Sequence, residues 1–190
     1  MSRKLLMLTT ASLLLLAATS QGQNRSLGIL GQQAPAWELA EWYNLQPGVD
    51  GLDISDFEGK VIYLYFFQSW CPGCHSHGFP TLKKAERHFA GDDDVVFVAV
   101  QTVFEGFATN TARRGRDTLA DFGLEIPLGQ DTGDHGPSSL MRKYRTGGTP
   151  WTVLIDRGGV VRFNDFHIQP EQAIALIDRL RPSSGDGGSG

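Results

Sequence analysis

Apolar residues gather along this chain into short runs separated by breaks rich in glycine, proline and aspartate. The densest run is 61–67, Val-Ile-Tyr-Leu-Tyr-Phe-Phe, apolar at both alternating sets of positions and rich in β-branched and aromatic residues. Such a run predicts a strand buried on both faces rather than one with a wet side. Past Trp70 the spacing becomes helical, with Phe79, Leu82, Ala85 and Phe89 on one face of a helix predicted over 75–89. Pro72 suits the first turn of that helix, where a missing N–H is harmless. A turn at Gly91 to Asp94 and a second apolar run, Val95 to Val100, complete strand, helix and parallel strand. A right-handed crossover is the expected connection.

The flanking segments add smaller elements. Trp37, Leu39, Trp42 and Tyr43 read as an edge segment over the core, and 53–60 as a turn into the central strand. Arg113, Arg114 and Arg116 read as a solvated face ahead of a helix start at Asp117-Thr118, followed by a short strand at Ile126 to Leu128. Asp131 to Pro137 is loop chemistry leading to a short helix at Ser138 to Tyr144. Trp151 to Asp156 and Val160 to Phe166 alternate on either side of Arg157-Gly158-Gly159, the pattern of an antiparallel pair. Pro170 opens a last amphipathic helix bearing Ala173, Ile174, Ile177 and Leu180, and Pro182 ends it. The aspartates at 92–94 lack the glycine and glutamate spacing of a calcium loop and read as a solvated turn.

At the amino end, Ser2-Arg3-Lys4 precedes an apolar stretch from Leu5 to Ala18 and then small residues, the pattern of an export signal cleaved near Gln21. The alternative is an uncleaved membrane anchor, although the stretch is shorter than the ~20 residues a span needs. No cysteine follows for lipid attachment. The expected organisation is a signal over 1–20, a polar leader over 21–33, one α/β domain over 34–181 and a Gly/Ser-rich tail over 182–190. A formal net charge of -4 gives no reason to expect nucleic acid or an anionic membrane as partner.

The chain has two cysteines, both in Cys71-Pro72-Gly73-Cys74, at the predicted strand-to-helix junction. Two are too few for a stapled scaffold, so C-x-x-C spacing points to redox or metal work. Unpaired N–H groups and the positive helix end favour a thiolate at Cys71, making it both a nucleophile and a good leaving group in disulfide exchange.

These residues resemble the thioredoxin superfamily, specifically its exported TlpA/ResA-like thiol-disulfide oxidoreductases. The resemblance spans 33–181 and rests on Ala34-Pro35, Gly59-Lys60-Val61, Trp70-Cys71-Pro72-Gly73-Cys74, Pro80, Tyr144 before Gly148-Thr149-Pro150, and Leu154-Ile155-Asp156 with Gly158-Gly159. It implies a thioredoxin fold, a central mixed sheet flanked by helices, with an N-terminal extension. It further implies Cys71 as attacking thiol, Cys74 as buried resolving thiol and Pro150 as a cis-proline facing them. Trp70, Pro72, Gly73 and Thr149 would form the partner-binding surface, and Trp151, unusual after that proline, would either shape the same surface or merely pack. No cofactor beyond the Cys71–Cys74 disulfide is expected. The implied partners are thiols and disulfides of other exported proteins, with a membrane or soluble electron donor, and a monomeric state.

Three departures sharpen the expectations. Pro80 falls six residues after Cys74 where the family usually has five, which predicts a one-residue bulge in the helix near Gly78. Tyr65 stands where a thioredoxin typically has a buried aspartate. His77 stands where ResA-like members often carry glutamate, and is the candidate for proton transfer, with His75 as runner-up. Two other readings use the same residues. Cys71 to His75 fits the C-x-x-C-H haem attachment pattern, though on a strand-helix-strand frame. Cys71 and Cys74 with the nearby histidines could instead hold copper or zinc in a delivery protein of the same fold.

Overall fold

The computed structural model describes residues 26–133 and 136–182. The signal and the 183–190 portion of the tail lie outside the described residues. Six strands form one sheet: β1 (Glu41–Tyr43), β2 (Val61–Phe67), β3 (Val95–Val103), β4 (Leu128–Thr132), β5 (Trp151–Ile155) and β6 (Val161–Asp165). Their spatial order is β1-β4-β3-β2-β5-β6. β2, β3 and β4 run parallel, whereas β1, β5 and β6 pair antiparallel to their neighbours. The helices are α1 (Phe79–His88), α2 (Ala112–Asp121), α3 (Ser139–Tyr144) and α4 (Pro170–Leu180). No helix among the described residues is long and apolar enough to cross a membrane.

Every residue of β2 is buried, as the run without a polar face requires. Its alternate side chains divide the interior in two. Val61, Tyr63, Tyr65 and Phe67 meet Phe79, Leu82 and Ala85 of α1 and Ala173 and Ile177 of α4. Ile62, Leu64 and Phe66 meet Trp37, Leu140 and Tyr144. Each fully buried side chain of this size contributes roughly 1.5–3 kcal/mol. Within the second layer Trp37 Nε1 donates to the Tyr144 hydroxyl at 3.0 Å.

Of the stretch read as a polar leader, residues 26–33 are described, and they pack on the domain. Ile29 is buried, Gly31 N–H donates to Val161 O at 2.8 Å, and Val161 N–H donates to Gln32 O at 2.9 Å. The segment therefore runs beside β6 as a strap.

The helix begins at Pro72, between the cysteines, and is interrupted by a π turn over Cys74–Gly78 before α1 continues. Phe79 N–H reaches back to Cys74 O, five residues away, so the additional residue ahead of Pro80 is accommodated as a bulge. Gly78 is there for space. A Cβ on it would stand 1.9 Å from the Tyr65 hydroxyl oxygen. That hydroxyl is buried with no hydrogen-bond partner among the described residues, and burial pushes its pKa well above the ordinary tyrosine value.

Several boundaries differ from the sequence expectation, among them the end of β3, which runs past Val100 to Val103. α2 starts at Ala112, capped by Thr111, whose hydroxyl accepts from Arg114 N–H. β4 runs from Leu128 to Thr132 and so includes Gln130 and Asp131. The Asp131 carboxylate accepts from the N–H groups of Ser139 and Leu140, at 3.1 and 2.8 Å, and anchors the start of α3.

Candidate functional site

The site is built where β2 stops. Cys71 N–H donates to Gln68 O at 3.0 Å, closing a turn, and the N–H groups of Cys74 and His75 donate to Cys71 O, at 3.1 and 3.3 Å, opening the helix. This geometry brings Cys71 and Cys74 together as a disulfide with Cα atoms 5.3 Å apart. The two sulfurs are not equivalent. Cys71 keeps 5% of its surface exposed and Cys74 keeps 0%. Cys74 N–H also points at Cys71 Sγ, at 3.1 Å, so a backbone donor and the positive end of the helix face the outer sulfur.

Around this turn the structure gathers most of the residues singled out from sequence. The Thr149-Pro150 peptide bond is cis. A Cβ on Gly73 would lie 3.2 Å from Pro150 Cδ, so the proline seats directly on the redox turn and a glycine opposite it leaves room. Trp70 is 45% exposed beside Gly106, whose Cβ would fall 3.4 Å from the indole nitrogen. Pro72 is exposed and Thr149 half-buried on the same rim.

Trp151 occupies a different position. It is fully buried, its indole N–H donates to Asn164 Oδ1, and its ring packs edge-on against Phe166 at 4.7 Å. Phe166 is the aromatic that reaches the surface, 40% exposed, lying over Gly147 and Gly148 just ahead of Thr149. Sequence reading missed it, although it closes the alternating run of the second hairpin strand.

The histidines separate. His75 Nε2 lies 2.7 Å from Ser69 O, and its ring packs against Phe79 and Phe122 at 5.9 and 5.6 Å. A carbonyl only accepts, so Nε2 carries the proton. His75 is thus a brace between the helix and the turn before Cys71. His77 is exposed, its Nδ1 2.7 Å from Ser76 Oγ and its ring 6.2 Å from that of His167. Among the described residues no hydrogen bond joins either histidine to a cysteine sulfur, and no three metal-ligating side chains are gathered.

A fully buried cysteine bonded to one that keeps slight exposure at a helix start, with a proline seated against Gly73 between them, forms an arrangement suited to disulfide exchange. Comparison with known proteins agrees. The Redoxin family model matches residues 30–175. The chain belongs to the Redoxin family. Among solved structures, this Redoxin member is similar to a thioredoxin-like superfamily protein at 32% identity and TM-score 0.70, over 78% of this chain and 95% of that one. It is similar to a thiol-disulfide isomerase from Corynebacterium glutamicum at 31% identity and TM-score 0.69, over 80% and 98% of the two chains. Thiol-disulfide oxidoreductase ResA of Geobacillus kaustophilus (strain HTA426) is 25% identical over 169 residues, 84% of this chain and 86% of that one. This Redoxin member is a thiol-disulfide oxidoreductase of the TlpA/ResA-like kind, with a thioredoxin-like fold.

Proposed function

We propose that this oxidoreductase is exported and reduces disulfides of other exported proteins, with Cys71 as attacking thiol and Cys74 as resolving thiol. The observation that carries the reading is the asymmetry of the pair: Cys71 alone keeps some exposure, at a helix start whose Gly73 faces Pro150. In the reduced protein the Cys71 thiolate attacks a partner disulfide. A bond forms from Cys71 Sγ to one partner sulfur, and the other partner sulfur leaves as a thiolate that takes a proton from water. Cys74, as thiolate, then attacks Cys71 Sγ. The Cys71–Cys74 disulfide forms, the second partner sulfur leaves, and two electrons have passed to the partner. A membrane or soluble dithiol donor restores the reduced pair.

The backbone at Thr149, next to Pro150, would hold the partner as an added strand, with Trp70, Pro72 and Gly73 forming the rim. Trp151 supports that rim from beneath through Phe166. Export is supported by the basic and apolar pattern of residues 2–18. His77, exposed and without a hydrogen bond to sulfur, would act only by exchanging protons with water.

Replacing the resolving thiol tests the scheme. Cys74→Ala is expected to accumulate mixed disulfides on Cys71, visible as adducts that dithiothreitol removes. A variant that captures no partner sulfur overturns the exchange mechanism. The direction is read from the reduction potential: a value nearer about -270 mV than about -120 mV supports a reductase, and the reverse marks an oxidant.

A further inference from the structure

Five polar side chains are buried together where β3, β4, the segment after β2 and the loop ahead of α2 meet: Gln68, Ser69, Gln101, Asn110 and Gln130. Burying an amide is unfavourable unless its groups are paired, and these pair with one another and with backbone except at Gln68 Nε2 and Asn110 Oδ1, which have no partner among the described residues. Gln101 is the hub. Its Oε1 accepts from Ser69 N–H at 3.2 Å and from the Ser69 hydroxyl. The two hydrogens of its Nε2 are shared among Asn110 O, Thr111 O and Gln130 Oε1, at 3.2, 3.0 and 2.9 Å.

Asn110 makes the second bridge. Its Nδ2 donates to Glu105 O at 3.0 Å and lies 3.4 Å from Gly106 O, which fixes which end of the amide is nitrogen. The same nitrogen donates to Gln68 Oε1 at 3.0 Å. The loop 104–110 is thereby fastened to Gln68, and Gly106 of that loop is the neighbour of the Trp70 indole.

Gln68 and Ser69 immediately precede Trp70-Cys71, and their backbone carbonyls shape the redox turn. Gln68 O receives Cys71 N–H, and Ser69 O receives His75 Nε2. Side chains in the network and carbonyls at the turn belong to the same two residues.

We propose that Asn110 and Gln101 are positioning residues for disulfide exchange, setting through Gln68 and Ser69 the orientation of the Trp70-Cys71 turn. Neither touches sulfur. They act by holding the peptide that aims Cys71 Sγ at the Cys74 N–H and the helix start. The inference rests on Cys71 being the attacking thiol.

The experiment compares wild type, Asn110→Ala and Gln68→Met as full mature chains, with Ile177→Val as a remote core change for reference. Gln68→Met leaves both loop bonds of Asn110 and all bonds of Gln101 in place, so it serves if Asn110→Ala fails to fold. Three quantities are read: iodoacetamide alkylation of reduced Cys71, its thiolate absorbance against pH, and the urea midpoint. At least one folded network variant is expected to alkylate about five-fold or more slower than wild type, with a displaced thiolate titration. Ile177→Val is expected to change the urea midpoint alone. Alkylation and titration matching wild type within about two-fold in the folded network variants, whatever their urea midpoints, overturn the proposal. If the wild type itself alkylates at Cys74 rather than Cys71, the attacking-thiol reading fails, and the two failures are distinct.

Discussion

Two regions meet at the disulfide and are held by opposite means. Beneath Cys74, the π turn rests on Tyr65, Phe67 and Phe79, where the Tyr65 hydroxyl has no partner among the described residues and Gly78 is fitted against it. Ahead of Cys71, the turn rests on amides, and Gln101 alone takes part in five hydrogen bonds. The first region is specified by shape and the second by polar pairing. They should therefore fail differently, because overpacking displaces backbone, whereas a lost amide strands the groups it served.

The sharpest way to break this contrast is Gly78→Ala. The added methyl collides with a buried ring, and a loss of about 3 kcal/mol or more is expected in the urea transition. Combining it with Tyr65→Phe should recover part of that loss, since the nearest atom is then gone. Tyr65→Phe by itself should be neutral or stabilising by up to about 1 kcal/mol. If Tyr65→Phe proves as damaging as Gly78→Ala, the shape account of this region is wrong.

On the polar side, Gln101→Leu keeps volume and removes every partner of Ser69 N–H in the network. A loss of about 2–3 kcal/mol is expected from the stranded buried groups, measured by the same transition. A near-neutral result would mean that the amides contribute packing alone.

The smallest effect concerns Asp156, outside both regions. Burial alone would raise its pKa, but the Val160 N–H, the Arg162 guanidinium and the Gly158 N–H outweigh it and hold the carboxyl below its ordinary value. A depressed folded-state pKa gives stability that is present above the ordinary value of about 4 and lost as pH falls below it. Between about pH 5 and pH 2.5 the wild type should lose up to about 1 kcal/mol more than Asp156→Asn. Equal acid sensitivity would assign the loss to other carboxylates.

The same contrast explains what could be read from sequence. The apolar region was legible because β2 is buried on both faces and Phe79, Leu82 and Ala85 keep helical spacing, and the bulge near Gly78 followed from setting Pro80 against the spacing usual in the family the chain resembles. The polar region was hidden. Gln101 in an apolar strand and Gln68 after one are signals only in retrospect, since a sequence does not say which loop a buried amide will meet. α2 starts five residues ahead of the expected Asp117 and takes in Gly115, where a Cβ would stand 3.1 Å from Gln101 Nε2. His75 misleads in a similar way. On the page it is a first-turn histidine, and only the folded chain brings Ser69 O and Phe122 to it.

The strap along β6 has a consequence for self-association. An open strand edge is a template on which another copy can pair, and natural sheets blunt such edges by covering or shortening them. Here residues 28–34 occupy the β6 side, and β1 at the opposite side is three residues long. Among the described residues, neither margin of the sheet offers a long free ladder on which another copy could polymerise.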